Sequence, residues 1–259
     1  MKRLALAVLF ASSICGPVLA ETLPPGLRSA TLLPGWVTQD GNRMVALDLQ
    51  LEPGWKTYWR KPGDSGIPPE FDWSASTNVG AVTPHWPAPE VIVSGDDRTL
   101  GFHDRLVLPI EIQPEAKREP VAVSLTVSFG LCETICVPAN LSLEASSPLP
   151  ERDPLIDAAL AAEPVISSER PTCGIAAIDD GMRVHARVPS RGGPQAVAIE
   201  LADAPDVWVS GADIDDSGTA VADLVGPSRE PFEVDESALV FTAIDDGRAT
   251  EYRGCDRAD

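Results

Sequence analysis

Histidine is scarce in this 259-residue sequence: His85, His103 and His185 stand singly, with no His-x3-His or His-Cys spacing that would hold zinc. Each reads as a core or surface residue. Serine-nucleophile motifs, phosphate-cradling glycine loops and calcium-loop signatures are missing too, and no cofactor is implied. Basic residues are outnumbered, 20 Lys and Arg against 39 Asp and Glu, for a formal net charge of -19. A surface of that sign repels phosphate backbones and anionic lipid, which excludes nucleic acid as an expected partner. Aromatics make up only 5% of residues while prolines number 25, a balance against long helices because proline interrupts the helical hydrogen-bond ladder. Beyond the N-terminus every apolar run is broken by charge, proline or glycine well before the ~20 residues of a membrane span.

The first twenty residues read as a secretory signal. Lys2 and Arg3 precede an apolar run from Leu4 to Ala11, and Val18-Leu19-Ala20 supplies a small-residue exit. As a membrane anchor the run fails early, at Ser12, Ser13, Gly16 and Pro17. Cleavage after Ala20 would leave Glu21 as the N-terminus and take the formal charge from -19 to -21, two cations being lost. It would also remove Cys15, whose Cys-Gly-Pro-Val context is not a lipoprotein site. The expected product is exported, without membrane insertion.

Alternation of period two recurs through Val45, Leu47, Leu49 and Leu51, then Leu106, Leu108, Ile110 and Ile112, then Val121, Val123, Leu125, Val127 and Phe129. Mostly small or polar residues stand between, the pattern of half-buried antiparallel strands. From Pro148 to Pro171 the pattern changes, and Asp153 with Pro154 can open a short helix through Leu155, Ile156, Ala159 and Leu160. Alternation then resumes at Met182, Val184, Ala186 and Val188, at Val197, Ile199 and Leu201, and from Leu239 to Ile244, with turn signals at Asp180-Gly181, Ser217-Gly218 and Asp246-Gly247. The length suffices for two domains. The expected fold is all-β, a sandwich over 21–147, a connector with a short helix over 148–171, and a second, smaller sandwich-like β domain over 172–259.

Four cysteines survive processing, and their placement favours pairing Cys132 with Cys136 and Cys173 with Cys255. The second pair brackets a whole module, and closing it restricts the unfolded chain by roughly 4.5 kcal/mol on the loop-entropy relation, a structural task. The first closes only Glu133, Thr134 and Ile135 and is a poor staple. On a continuous strand its cysteines would stand ~13 Å apart, beyond the ~7 Å limit for a disulfide, so the chain must bend into a tight hairpin that makes them facing partners. Pro138 keeps the following backbone from resuming a central ladder at once. Such a pair fits redox exchange, a structural bond or a soft-metal site such as copper(I).

The block Gly54-Trp55-Lys56-Thr57-Tyr58-Trp59-Arg60-Lys61-Pro62-Gly63-Asp64-Ser65-Gly66-Ile67-Pro68-Pro69, with Phe71-Asp72-Trp73 after it, resembles the N-terminal periplasmic domain of the DsbD and ScsB group of thiol:disulfide interchange proteins. So do Asp104-Arg105-Leu106-Val107-Leu108-Pro109 and the run Phe129-Gly130-Leu131-Cys132 to Cys136-Val137-Pro138. The likeness covers roughly residues 30–147, and the region after 170 resembles the extra β domain of the ScsB-like branch. It implies an immunoglobulin-like fold, a periplasmic location and a role for Cys132 and Cys136 as the redox pair. The pair would take electrons from a membrane-embedded DsbD-, ScsB- or CcdA-like donor and pass them to thioredoxin-like or disulfide-bonded proteins, as in cytochrome c-type biogenesis. Two departures stand out. The best-known members place more residues between their cysteines, and they carry an aromatic cap loop that in the matching stretch, Ser94 to His103, has no counterpart apart from Phe102. No segment resembles the family's membrane or thioredoxin-like domains, so the donor would be a separate protein.

Trp55, Tyr58, Trp59, Trp73 and Trp86 form an aromatic-rich segment that reads as sandwich packing rather than a ligand platform. Lys56, Arg60, Lys61 and Arg105 read as solvated surface charges, with the alternative that they lower a thiol pKa. Asp215-Asp216 and Asp245-Asp246 are explained by turn hydrogen bonds. Which of Cys132 and Cys136 attacks stays open, and the copper(I) alternative lacks a methionine cluster, Met44 and Met182 being remote.

Overall fold

A computed structural model describes residues 23–95, 97–189, 193–245 and 247–258; the expected signal segment and Asp246 of the last turn signal lie outside the described residues. Among the described residues strands account for 52% and helix for 5%. In chain order the first ten strands are β1 (Leu27–Leu33), β2 (Arg43–Leu51), β3 (Lys56–Tyr58), β4 (Glu70–Asp72), β5 (Val79–Pro84), β6 (Glu90–Ser94), β7 (Asp97–His103), β8 (Arg105–Pro114), β9 (Ser124–Cys132) and β10 (Cys136–Glu144). They form two sheets, β1-β2-β8-β5 and β10-β9-β3-β7-β6, with β4 also on β9. All pairings are antiparallel, the arrangement of an immunoglobulin-like sandwich.

The alternation read from the sequence is the core. Val45, Leu47, Leu49, Leu51, Leu108, Ile110, Ile112, Leu125 and Val127 are each at most 1% exposed. One feature differs from a half-buried sheet: on β2 the intervening Met44, Ala46 and Asp48 are buried as well. The helix α1 (Pro154–Ala161), capped by the Asp153 side chain, lies over that second face. Its Ile156, fully buried, packs with Trp36, Met44 and Ala46, and the small side chain of Ala46 leaves room for it. Asp48 is tolerated there because Arg105 donates two 2.7 Å hydrogen bonds to its carboxylate. The expected connector is therefore also a cover.

The remaining strands are β11 (Val165–Ile166), β12 (Thr172–Ile178), β13 (Gly181–Arg187), β14 (Ala196–Leu201), β15 (Trp208–Val209), β16 (Asp213–Ile214), β17 (Ala220–Val225), β18 (Leu239–Asp245), β19 (Arg248–Arg253) and β20 (Asp256–Arg257). They build a second pair of sheets, β11-β19-β18-β14 and β15-β17-β13-β12-β20, with β16 on β17. Val184, Ala186, Ile199, Leu224, Leu239 and Phe241 fill the space between. Cys173 and Cys255, both buried, are bonded and tie β12 to the chain end, where β20 runs parallel beside it. The domains touch: Ala196, Ala198, Ile244 and Ala249 of the second join the apolar cluster of the first. The connector is tied to the first domain too, where Ala88 N–H donates to the Ala162 carbonyl at the end of α1 at 2.7 Å.

Candidate functional site

β9 and β10 form a hairpin whose three-residue loop, Glu133 to Ile135, brings Cys132 opposite Cys136. The two are disulfide-bonded with Cα atoms 4.1 Å apart, the short separation of a cross-strand pair that exchanges no backbone hydrogen bonds. Pro138, opposite Gly130, occupies the same kind of position, so its missing N–H faces away from β9. β10 is the sheet edge, and the ladder runs unbroken through this proline rather than stopping at it.

The two cysteines differ in exposure. Cys132 is 2% exposed, whereas Cys136 lies with Glu133, Thr134 and Ile135 on an exposed tip, Ile135 being 71% exposed. Over the buried sulfur sits Tyr58. Its hydroxyl donates to Cys132 Sγ at 2.8 Å and lies 3.4 Å from Cys136 Sγ. Burial raises the Tyr58 pKa above its ordinary value of 10, so the phenol keeps its proton throughout the neutral range. The alternation of β3 explains the placement: Thr57 and Trp59 point into the sandwich, and Tyr58 and Lys56 point to the outer face that Cys132 shares.

Gly130, two residues before Cys132 on that face, makes room for this arrangement. A Cβ there would meet Ile67 and the Tyr58 ring at 3.0 Å. Gly66 lies against the other side of the ring, where a Cβ would come 3.0 Å from Tyr58 Cδ1. The segment after β3 thus folds back over Tyr58.

The aromatics divide between packing and the site. Trp59 and Trp86 are core, Trp86 stacks on Phe102 at 6.4 Å, and Trp55 and Trp73 are half-buried. Ser94 to His103 is taken up by the β6–β7 hairpin, and Phe102, 7% exposed, turns into the core, so it is no cap over the disulfide. Tyr58 is the residue that the grouping of aromatics as packing missed, although alternation puts it on the face opposite Trp59.

Of the four cations Arg105 is exposed, Arg60 and Lys61 are half-buried and Lys56 is buried. Lys56, 8% exposed and in register with both Cys132 and His103, donates to Ser94 Oγ at 3.1 Å. Arg105 is committed to Asp48, and Arg60 to Glu200 and Glu251 of the second domain. Burial lowers the Lys61 pKa, opposed by Glu200 and Asp64. His85 lies between Glu111 and Glu163, and His103 is paired with Glu90. Asp215 accepts hydrogen bonds from Ser217 and Thr219, as a turn residue does.

Fold and site together define a β-sandwich that carries an accessible cystine on an edge hairpin. Residues 29–148 match the family described as thiol:disulfide interchange protein DsbD, N-terminal, and this domain belongs to that family. The N-terminal periplasmic domain of ScsB from Proteus mirabilis is similar in fold over nearly the whole chain: 21% identity, TM-score 0.60, 88% of this chain and 92% of that one. A marsupial T cell receptor chain also aligns, at 11% identity over 89% of this chain and 97% of that one, but its TM-score of 0.16 carries no argument. No curated protein gives a significant match. The first domain is a thiol:disulfide interchange module.

Proposed function

We propose that the chain is a soluble periplasmic electron carrier in which Cys136 exchanges and Cys132 resolves. The observation that carries this is the asymmetry of the pair, an exposed Cys136 bonded to a buried Cys132 whose sulfur accepts a hydrogen bond from Tyr58. A donor thiolate attacks Cys136 Sγ, a partner–Cys136 disulfide forms, and the Cys132–Cys136 bond breaks with its electron pair left on Cys132. The Tyr58 hydroxyl stabilises that thiolate as it develops. The donor's second thiolate then attacks its own sulfur in the mixed disulfide and leaves as an oxidised protein. The two electrons remain on the Cys132/Cys136 dithiol. Delivery runs the same steps in reverse: Cys136 thiolate attacks a client disulfide and Cys132 thiolate displaces the reduced client.

Membership of the DsbD family supports a membrane-embedded DsbD-, ScsB- or CcdA-like donor and thioredoxin-like clients. Among the described residues no helix is long and apolar enough to cross a membrane. The copper(I) reading gains no support, since Met44 is packed under α1 and Met182 belongs to the second domain.

The test is trapping. A Cys132→Ser chain should accumulate mixed disulfides with envelope proteins through Cys136, and a Cys136→Ser chain should not. Titration against glutathione should give a potential above about -300 mV, the region below being that of structural bonds. A lower potential, or no trapped partner, defeats the reading.

A further inference from the structure

The exchange reading leaves a role for the second domain unassigned, yet that domain grips the chain where it leaves β3. Arg60 donates from Nε to both carboxylate oxygens of Glu200, at 3.1 Å each, and from Nη2 to Glu200 at 3.0 Å and Glu251 at 3.2 Å. The three side chains are only 14–24% exposed, and the guanidinium also lies 4.2 Å from the Trp59 ring centre. Four residues on, Asp64 Oδ1 accepts from Gly211 N–H at 2.7 Å. Between these ties the Pro62 carbonyl accepts from Leu100 N–H at 2.9 Å. Beyond them come Gly66, flush against the Tyr58 ring, and Ile67, over Gly130. The segment 60–67 is thus a roof over the Tyr58 ring and Gly130, and two of its three ties reach into the second domain.

A surface loop without such ties opens at little free-energy cost. A forked guanidinium–carboxylate pair that is half shielded from water is among the stronger polar ties available. It also draws together Glu200 of β14 and Glu251 of β19, two strands that β18 separates, and Glu251 accepts from Arg253 as well. Resting on the exchange reading, we propose that the second domain is part of the redox site. Through Arg60 and Asp64 it holds the roof closed over Cys132, so that thiol exchange enters at Cys136 alone. Arg60 is a positioning residue, acting through the roof and Tyr58 and not on sulfur itself.

The experiment reads regioselectivity. The reduced mature chain is exposed briefly to iodoacetamide, and labelling of Cys132 relative to Cys136 is measured by mass spectrometry. The unmodified chain should label at Cys136 by a wide margin. In Arg60→Ala, and separately in a Glu200→Gln/Glu251→Gln chain, the Cys132 to Cys136 ratio should rise by about tenfold as the roof opens locally. Arg60→Lys should fall between, because an ammonium keeps the charge but lacks the planar fork by which Nε and Nη2 grip Glu200 together. A Leu224→Ala chain is the control, weakened inside the second domain's own core, and its ratio should stay at the unmodified value. An unchanged ratio in Arg60→Ala, or an equal rise in Leu224→Ala, overturns the proposal. Labelling needs no partner protein, so a shifted ratio in a chain whose Cys132→Ser form traps nothing would sustain the roof while ending the exchange reading.

Discussion

In the first domain β2 and β8 run nine and ten residues, bury one face against the opposing sheet and, on β2, bury the other under α1. In the second, among the described residues, no strand exceeds seven residues, several have two, and β20 is held beside β12 next to the Cys173–Cys255 bond. The difference teaches what each disulfide is for. Long strands covered on both faces give the first domain enough buried apolar surface to stand without a staple, which frees its cystine for an exposed hairpin tip. Short strands bury less, and a covalent tie across 82 positions supplies what packing does not. The largest effect should follow from removing that tie. A Cys173→Ser/Cys255→Ser chain should lose about 4.5 kcal/mol on the loop-entropy relation, read as a fall in the second domain's denaturant midpoint. A loss below about 1 kcal/mol would erase the contrast.

The next effect tests the other half of the comparison. If α1 contributes to the first domain's core rather than merely leading out of it, Ile156→Ala should cost about 3 kcal/mol through lost contacts and the cavity left against Trp36, Met44 and Ala46. Unfolding of the first domain by urea, followed through tryptophan fluorescence, measures it. A cost under about 1 kcal/mol would return α1 to the role of a connector.

Much of this architecture was legible because burial leaves a period in the sequence. The runs from Val45 to Leu51 and from Leu106 to Ile112 alternate because one face meets the opposite sheet, and they lie where the core is. What periodicity cannot encode is a cover supplied from elsewhere. Nothing between Val45 and Leu51 announces that Ile156, over a hundred positions away, lies on their far side, although an alanine at 46 and a methionine at 44 were a faint signal. At the site, the sequence block from Gly54 to Pro69 marked the right segment, and its resemblance marked the right family. It did not separate Tyr58 from its packing neighbours, because contact with Cys132 depends on the register that sets Lys56 beside Cys132 across two strands remote in sequence. Arg60 was hidden for the same reason, its partners lying 140 and 191 positions away.

Tyr58 offers a sharper cut between working and holding. Tyr58→Phe removes only the hydroxyl that faces the sulfurs, so stability should change little while formation of the Cys132 thiolate loses a charge-assisted hydrogen bond. Reduction of the disulfide by dithiothreitol should slow by about tenfold, the equivalent of roughly 1.4 kcal/mol in the barrier. The Cys132 thiol should titrate higher than in the unmodified chain, because the bond favours the charged form. Since burial raises the phenol's own pKa, the difference between the two proteins should persist across neutral pH and narrow only above the tyrosine's ordinary value of 10. Equal reduction rates would remove Tyr58 from the mechanism.

Of the two disulfides, the smaller effect on stability should come from the pair proposed to carry the chemistry. Closing three residues limits the unfolded chain by at most about 2 kcal/mol on the same loop-entropy relation, less than half of the value for Cys173 and Cys255. The native hairpin does not depend on the bond for its register, since β9 and β10 pair continuously from Leu131 with Val137 to Ser124 with Glu144. A serine at 132 can also keep the Tyr58 contact, its hydroxyl accepting where sulfur did, so no buried donor is orphaned. A Cys132→Ser/Cys136→Ser chain should therefore lose about 1 kcal/mol and trap no partner, while the Cys173→Ser/Cys255→Ser chain loses several times as much. Melting both double variants side by side decides the matter, and an equal or larger loss from the 132/136 chain would mean that the exposed hairpin bond holds the first domain together and that the division between a working and a holding disulfide is wrong.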